Sequence, residues 1–239
     1  MATQSSKKCA TAYRFQRYHI KLQEGHVLTV KQNRREAQPA HTLQGDTQQC
    51  CGLLCICMVL AIFDFAKPSA LAQLTRRRYG TVARLWAVMK PYYFTGIAAP
   101  ELKDGIDSLN LTLRLTLRHI DERKSKDSIN ASDVSEFAIK NLNKGVLTML
   151  AYRSLKNGHA HWQLGIGVAG MTIGKTRKID TLLTLDPAET TPYWSSSNAR
   201  LRMPDSKAEQ NLGHWILEGS GCYTQESVQL ISAIAFEMM

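Results

Sequence analysis

The chain has 239 residues, 44% hydrophobic and 21% charged, the balance of an ordinary folded protein of one or at most two domains. A chain this long buries a core without staples, which excludes a mini-scaffold, a wholly disordered polymer and a fibrous repeat. The net charge is +10, and residues 1–40 alone hold eight Lys/Arg against Glu24 and Glu36, a basic segment that would attract anionic partners.

The first eleven residues carry lysines but no apolar stretch, so no secretory signal peptide is visible. The expected location is cytoplasmic, or secreted by a route without a classical signal. Tyr18 to Val30 reads as a hairpin around Gln23-Glu24-Gly25. Residues 31–49 are polar and aperiodic, a loop. Cys51 to Ala66 is apolar nearly all round, which predicts a central buried helix. Its longest apolar run, Leu53 to Phe63, has 11 residues, well short of the ~20 that span a bilayer. Pro68 suits the first turn of a helix reaching about Arg78. Thr81 can cap another with an apolar face of Val82, Leu85, Trp86 and Met89, ended by Pro91. A short helix follows Pro100.

Leu111 to Ile120 alternates, leucines on one face and Thr112, Arg114, Thr116 and Arg118 on the other, which predicts a half-buried strand. Asp121 to Asp127 is a charged loop. Asn130 to Asn143 predicts a capped amphipathic helix ending at Gly145. Beyond it the signal is mostly strand: Val146–Tyr152, His161–Val168, Leu182–Leu185, His214–Leu217 and Val228–Phe236. Helices first and strands later predict an α+β protein with a mainly antiparallel sheet in its second half.

Six cysteines are present, at 9, 50, 51, 55, 57 and 222. Four lie within one predicted helical stretch, whereas disulfide frameworks space cysteines across loops, so a reduced compartment is expected. Their spacing fits zinc poorly, because structural zinc sites draw on CxxC pairs in turns. Residues 165–170 fit GxGxxG but lie within a strand, and a dinucleotide fingerprint opens a helix. Gly174-Lys175-Thr176 resembles the end of a P-loop, yet residue 169 is Ala where that motif needs Gly.

Three places can hold chemistry. At the junction from Gln44 to Gly52, a cysteine starting a helix meets the positive end of the macrodipole, which favours thiolate. A thiolate nucleophile needs a His partner, that His needs an orienting group, and the reaction needs oxyanion donors. The cysteine's own N–H and the Gln44 amide can supply them. His159 and His161 stand at the mouth of one strand. Asp186-Pro187 ends another, and the two strands are expected side by side, with Met171 to Asp180 as the connecting excursion.

At these residues the chain resembles papain-like cysteine peptidases, most closely the bacterial effector proteases of papain fold and the bacteriocin-leader-processing peptidases. Gln44-Gly45, Cys51, Cys55, Met58 and Val59 match one block of that pattern; His161, Gly167 and Val168 match a second, and Asp186-Pro187 the third. The resemblance implies a papain-like α+β fold, in which an N-terminal central helix and a helical half pack on a C-terminal antiparallel sheet. It divides the chain into a basic arm over 1–40 and a catalytic domain over 41–239.

It further implies Cys51 as nucleophile, His161 as general base and acid, Asp186 as orienter and Gln44 as oxyanion donor, with no metal or organic cofactor. Counting six from Gln44 lands on Cys50, while the helix register favours Cys51, and His159 shares a strand face with His161. The implied activity is cleavage of a peptide or amide bond through a thioester, in a bacterial effector delivered to its target. The substrate would be a protein or peptide, acidic or anionic if it follows the basic surface. Alternatives are an amidase, deamidase or transglutaminase acting on protein side chains or peptidoglycan, and a non-catalytic basic binding module. With few aromatics in the basic segment, nucleic acid is not the expected partner.

Overall fold

The computed structural model describes residues 12–23, 29–30, 38–44, 49–120, 129–191, 197–219 and 225–239. Its strands are β1 (Ala12–Tyr18), β2 (Leu22–Gln23), β3 (Thr29–Val30), β4 (Gln38–Pro39), β5 (Leu113–His119), β6 (Leu147–Ser154), β7 (Ala160–Ile173), β8 (Thr176–Leu185), β9 (Ala199–Arg202), β10 (His214–Gly219) and β11 (Glu226–Met238). Its helices are α1 (Cys51–Ile62), α2 (Pro68–Leu71), α3 (Gly80–Met89), α4 (Ala99–Asp107), α5 (Ala131–Asn143) and α6 (Lys207–Asn211). None of the described helices is long and apolar enough to cross a membrane.

Strands β6, β7, β8, β9, β10 and β11 pair antiparallel in a ring, because β7 pairs with β8 as well as with β6. The result is a closed six-stranded barrel. Two further strands lengthen its walls: β1 continues the line of β6 along one edge of β7, and β5 continues the line of β10 along one edge of β11. The expectation of a papain-like α+β fold, with helices packed on a C-terminal sheet, is therefore corrected.

The physical reason lies in the closing strand. The four residues of β9, Ala-Arg-Leu-Arg, bridge β8 to β10 and are too short and too charged to announce themselves in the sequence. Bulges in β7 between Gly165 and Gly167 and between Ala169 and Gly170 add the bend that closure needs. The 165–170 glycines serve this geometry. A Cβ on Gly167 would lie 2.1 Å from the Arg17 carbonyl oxygen, and one on Gly170 2.0 Å from that of Lys178.

Alternation along the strands gives the wall two apolar faces. One side gathers Leu150 and Tyr152, Val168, Leu182, Leu201, Trp215, Val228 and Leu230, so that every barrel strand contributes, together with Val134, Ala138 and Leu142 of α5. Helix α5 starts on a capping box between Asn130 and Asp133, and its Ser135 hydroxyl accepts the Trp215 indole N–H at 3.0 Å. The other side carries Met149, Ala151, Leu164, Ile166, Leu183, Leu185, Ile234 and Phe236 and packs under α1. Every residue of α1 except Leu54 is buried, as a helix apolar on all faces requires.

The hairpin expected over 18–30 is represented by Leu22–Gln23 paired with Thr29–Val30; residues 24–28 lie outside the described residues, as do Gly45 and the loop expected over 121–127. The excursion expected over 171–180 is a continuation of β7 and β8 to a turn at Gly174-Lys175, where Gly174 takes φ +59°.

Candidate active site

Helix α1 begins at Cys51, and its burial under the barrel wall fixes where that first turn sits. Strand β7 begins just before His161, and β8 ends one residue before Asp186. Because β7 and β8 are antiparallel neighbours, with Leu164 opposite Leu185, the start of one strand lies beside the end of the other. His161 Nε2 is 2.7 Å from Asp186 Oδ1. The thiol of Cys51 hydrogen-bonds the same imidazole, and with Nε2 committed to Asp186, Nδ1 is the nitrogen left to face it.

The carboxylate is held at several points. Gln163 follows His161 by two residues, on the same strand face, and its buried amide donates to Asp186 Oδ2 at 2.6 Å. The Ala188 N–H donates to Oδ1 at 2.8 Å. Asn198 clamps the backbone of Asp186 from both sides: its Oδ1 accepts the N–H at 2.7 Å and its Nδ2 donates to the carbonyl at 2.8 Å. His41 Nε2 is 2.8 Å from that carbonyl, and its Nδ1 is 3.1 Å from Thr191 Oγ1. The Gln44 N–H donates to the Pro187 carbonyl at 2.6 Å. These bonds pin residues 41–44 to the exit of β8, and Gln44 thereby joins Cys51 and His161 in the wall of one cleft of about 640 Å³.

The electrostatics follow from these bonds. Burial alone would push the Cys51 thiol up, but His161 and the backbone N–H groups of Trp162 and Gly52 overcome it and hold the thiol below its ordinary value. Burial would likewise push His161 down; Asp186 and Cys51 outweigh it and raise the imidazole to about 10. Burial also opposes the charge on Asp186, yet His161, Ala188 and Gln163 keep its carboxyl below the usual range. The combination favours a thiolate, an imidazolium and a carboxylate in a row.

The neighbouring candidates differ. Burial pushes the Cys50 thiol up to about 11, and it is Cys51 that bonds the imidazole. Cys55 and Cys57 are wholly buried with raised thiols, Cys57 to about 12, and they pack as small apolar groups. His159 precedes β7 on the exposed rim of the cleft, while His161 makes the bond to Asp186. The Tyr193-Trp194-Ser195 segment lies outside the described residues. Among the described residues, no three His, Cys, Asp or Glu side chains group as metal ligands would.

Sequence reasoning gave no role to Gln163, Asn198 or His41. The period of two from His161 could have found Gln163. Nothing local points to Asn198 or His41, which act on the backbone of Asp186. No family model matches the chain, and neither does any curated protein.

Proposed function

We propose that the protein is a thiol hydrolase that cleaves a peptide or amide bond through a Cys51 thioester. The observation that carries this reading is one imidazole, His161, bonded on one side to a thiol at a helix start and on the other to a buried carboxylate. Cys51 Sγ attacks the substrate carbonyl carbon. The oxyanion is met by the Cys51 backbone N–H and the Gln44 side-chain amide, both from residues that line the cleft. His161 passes its proton to the leaving amine, whose departure leaves the thioester. Water, deprotonated by His161, then releases the acid and restores the thiol. Asp186 keeps the imidazole oriented and favours its charged form. The resemblance of the three motif blocks to papain-like cysteine peptidases supports the same chemistry.

The test is Cys51→Ala assayed beside Cys50→Ala on a fluorogenic peptide library. The expected result is loss of turnover in Cys51→Ala, with a melting temperature close to wild type, and turnover retained in Cys50→Ala. Full turnover in Cys51→Ala would overturn the reading.

A further inference from the structure

The surface around α3 collects charge of one sign. Between Asp64 and Glu101 the chain carries Lys67, Arg76, Arg77, Arg78, Arg84 and Lys90, and neither Asp nor Glu. All six residues are exposed. Among the described residues, none of them pairs with a carboxylate from elsewhere in the fold. Arg84 donates to the Leu109 carbonyl at 3.0 Å, a bond that leaves its charge in place.

Helix α3 turns Val82, Leu85 and Met89 to the core. Gly80, Arg84 and Ala87, at the spacing of helix neighbours, form its exposed face. The triplet Arg76-Arg77-Arg78 precedes this ridge and Lys90 ends it, ~15 Å along the axis for a helix of ten residues. Aromatic rings stand beside both groups: Tyr79 is 85% exposed and Phe94 68%. Phe94 meets Tyr93 edge-on at 4.9 Å, and Tyr93 meets Trp86 edge-on at 5.5 Å, so an exposed ring is held on a stack. Rows of phosphates suit such a ridge, and both nucleic acids and anionic bilayers present them. Nucleic-acid surfaces also use side chains such as Asn, Gln, Ser and Thr on sugars and phosphates, and on α3 the only one is Thr81. Cations around small apolar residues, with exposed aromatic rings, match the headgroup zone of a bilayer better.

We propose that this ridge docks the protein on an anionic membrane surface, with Tyr79 and Phe94 entering the headgroup layer. The wall of the cleft begins at Thr95, directly after Phe94, so docking sets the cleft beside the bilayer. The proposal stands whether or not Cys51 is a nucleophile.

The experiment sediments the full chain with phosphatidylcholine vesicles, with and without about 30% phosphatidylserine. Binding should require the anionic lipid and weaken with salt. Arg76→Gln, Arg77→Gln and Arg78→Gln combined should weaken it ~10-fold or more, each cation near such a surface being worth about a factor of 5. Lys156→Gln, Lys175→Gln and Lys207→Gln combined remove the same charge from exposed sites outside the ridge, and should leave affinity within about threefold of wild type. Phe94→Ser should weaken binding ~5-fold, by loss of apolar contact. Both triple variants should melt with the wild type, as exposed substitutions do. Indifference to phosphatidylserine, equal losses in the two triple variants, or wild-type binding by the arginine triple or by Phe94→Ser would each overturn the proposal. So would a single-stranded RNA bound more tightly than the vesicles, which would assign the ridge to nucleic acid.

Discussion

Cys50 and Cys51 are neighbours in sequence and opposites in chemistry. Burial leaves Cys50 a thiol up to about 11, while His161 and two backbone N–H groups draw Cys51 toward thiolate against the same burial. Thiolate is the reactive form, so iodoacetamide at pH 6.5 should modify Cys51 ~100-fold or more faster than Cys50, as read by peptide mapping; comparable rates would contradict the electrostatics. The pH profile of turnover follows from the same groups. On the proposed hydrolase reading, activity should rise as Cys51 ionises, at a pH below the ~8.5 of a free thiol, and fall as His161 loses the proton needed by the leaving amine, near 10. In Asp186→Asn the negative charge that stabilises imidazolium is gone. The alkaline limb should therefore move to lower pH and, because a weaker imidazolium stabilises thiolate less, the acid limb to higher pH. Turnover at the optimum should drop ~10²–10⁴-fold, whereas unmoved limbs would remove Asp186 from the role. Cys51, His161 and Asp186, which the structure brings together, stood out in the sequence as candidates because the proposed chemistry restricts both residue type and strand position. Asn198 and His41 could not, since they serve the backbone of Asp186 and meet each other across 157 residues.

Elements were legible where one face of the chain meets the core. α1 is apolar throughout, the leucines of β5 alternate, and α5 carries its own cap, so these appear in the sequence at nearly their observed bounds. β1 does not, because most of its residues are exposed and no apolar face builds up. The outer parts of β7 and β8 were hidden by Thr176, Arg177, Lys178 and Asp180, polar residues that break the apolar signal. What holds β1 is a close backbone approach, and this makes it testable. A methyl on Gly167 would meet the Arg17 carbonyl oxygen and, at 3.0 Å, the Tyr18 Cα, backbone atoms that no rotamer change can move aside. Gly167→Ala should thus release residues 12–18 from β7 and cost roughly 1–3 kcal/mol, as overpacking does. Hydrogen exchange would show amide protection lost first across 12–18, while β8, bonded to the opposite edge of β7, keeps more of its own. Undiminished protection at 12–18 would mean that β1 is not paired in this register.

At the scale of the whole molecule, the sequence announced an antiparallel sheet but not its closure, which depends on long-range geometry: two bulges in β7 and a four-residue bridging strand. Hydrophobic patterning reports burial on a face and is silent on whether the first and last strands of a sheet meet. The bridge has little apolar surface of its own, with Leu201 buried and Arg200 and Arg202 pointing outward. Its side-chain hold on β10 runs through Glu218, whose carboxylate takes Arg200 Nε at 2.5 Å and Arg202 Nε at 3.2 Å. Partial burial would raise the Glu218 carboxyl, but the two guanidinium groups outweigh it and hold the carboxyl below its ordinary value. A depressed folded-state pKa gives stability that is fully present above the unfolded value and fades as the pH falls through the folded one. Glu218→Gln should therefore lower the melting temperature at pH 7 by about 2–4 °C, the shift that ~1 kcal/mol produces in a chain of this size. The gap between wild type and variant should close in acid, below the ordinary glutamate range, and narrow in high salt. Were the gap constant from pH 7 to pH 3, Glu218 would act through packing alone, and the barrel seam would owe nothing to its two arginines.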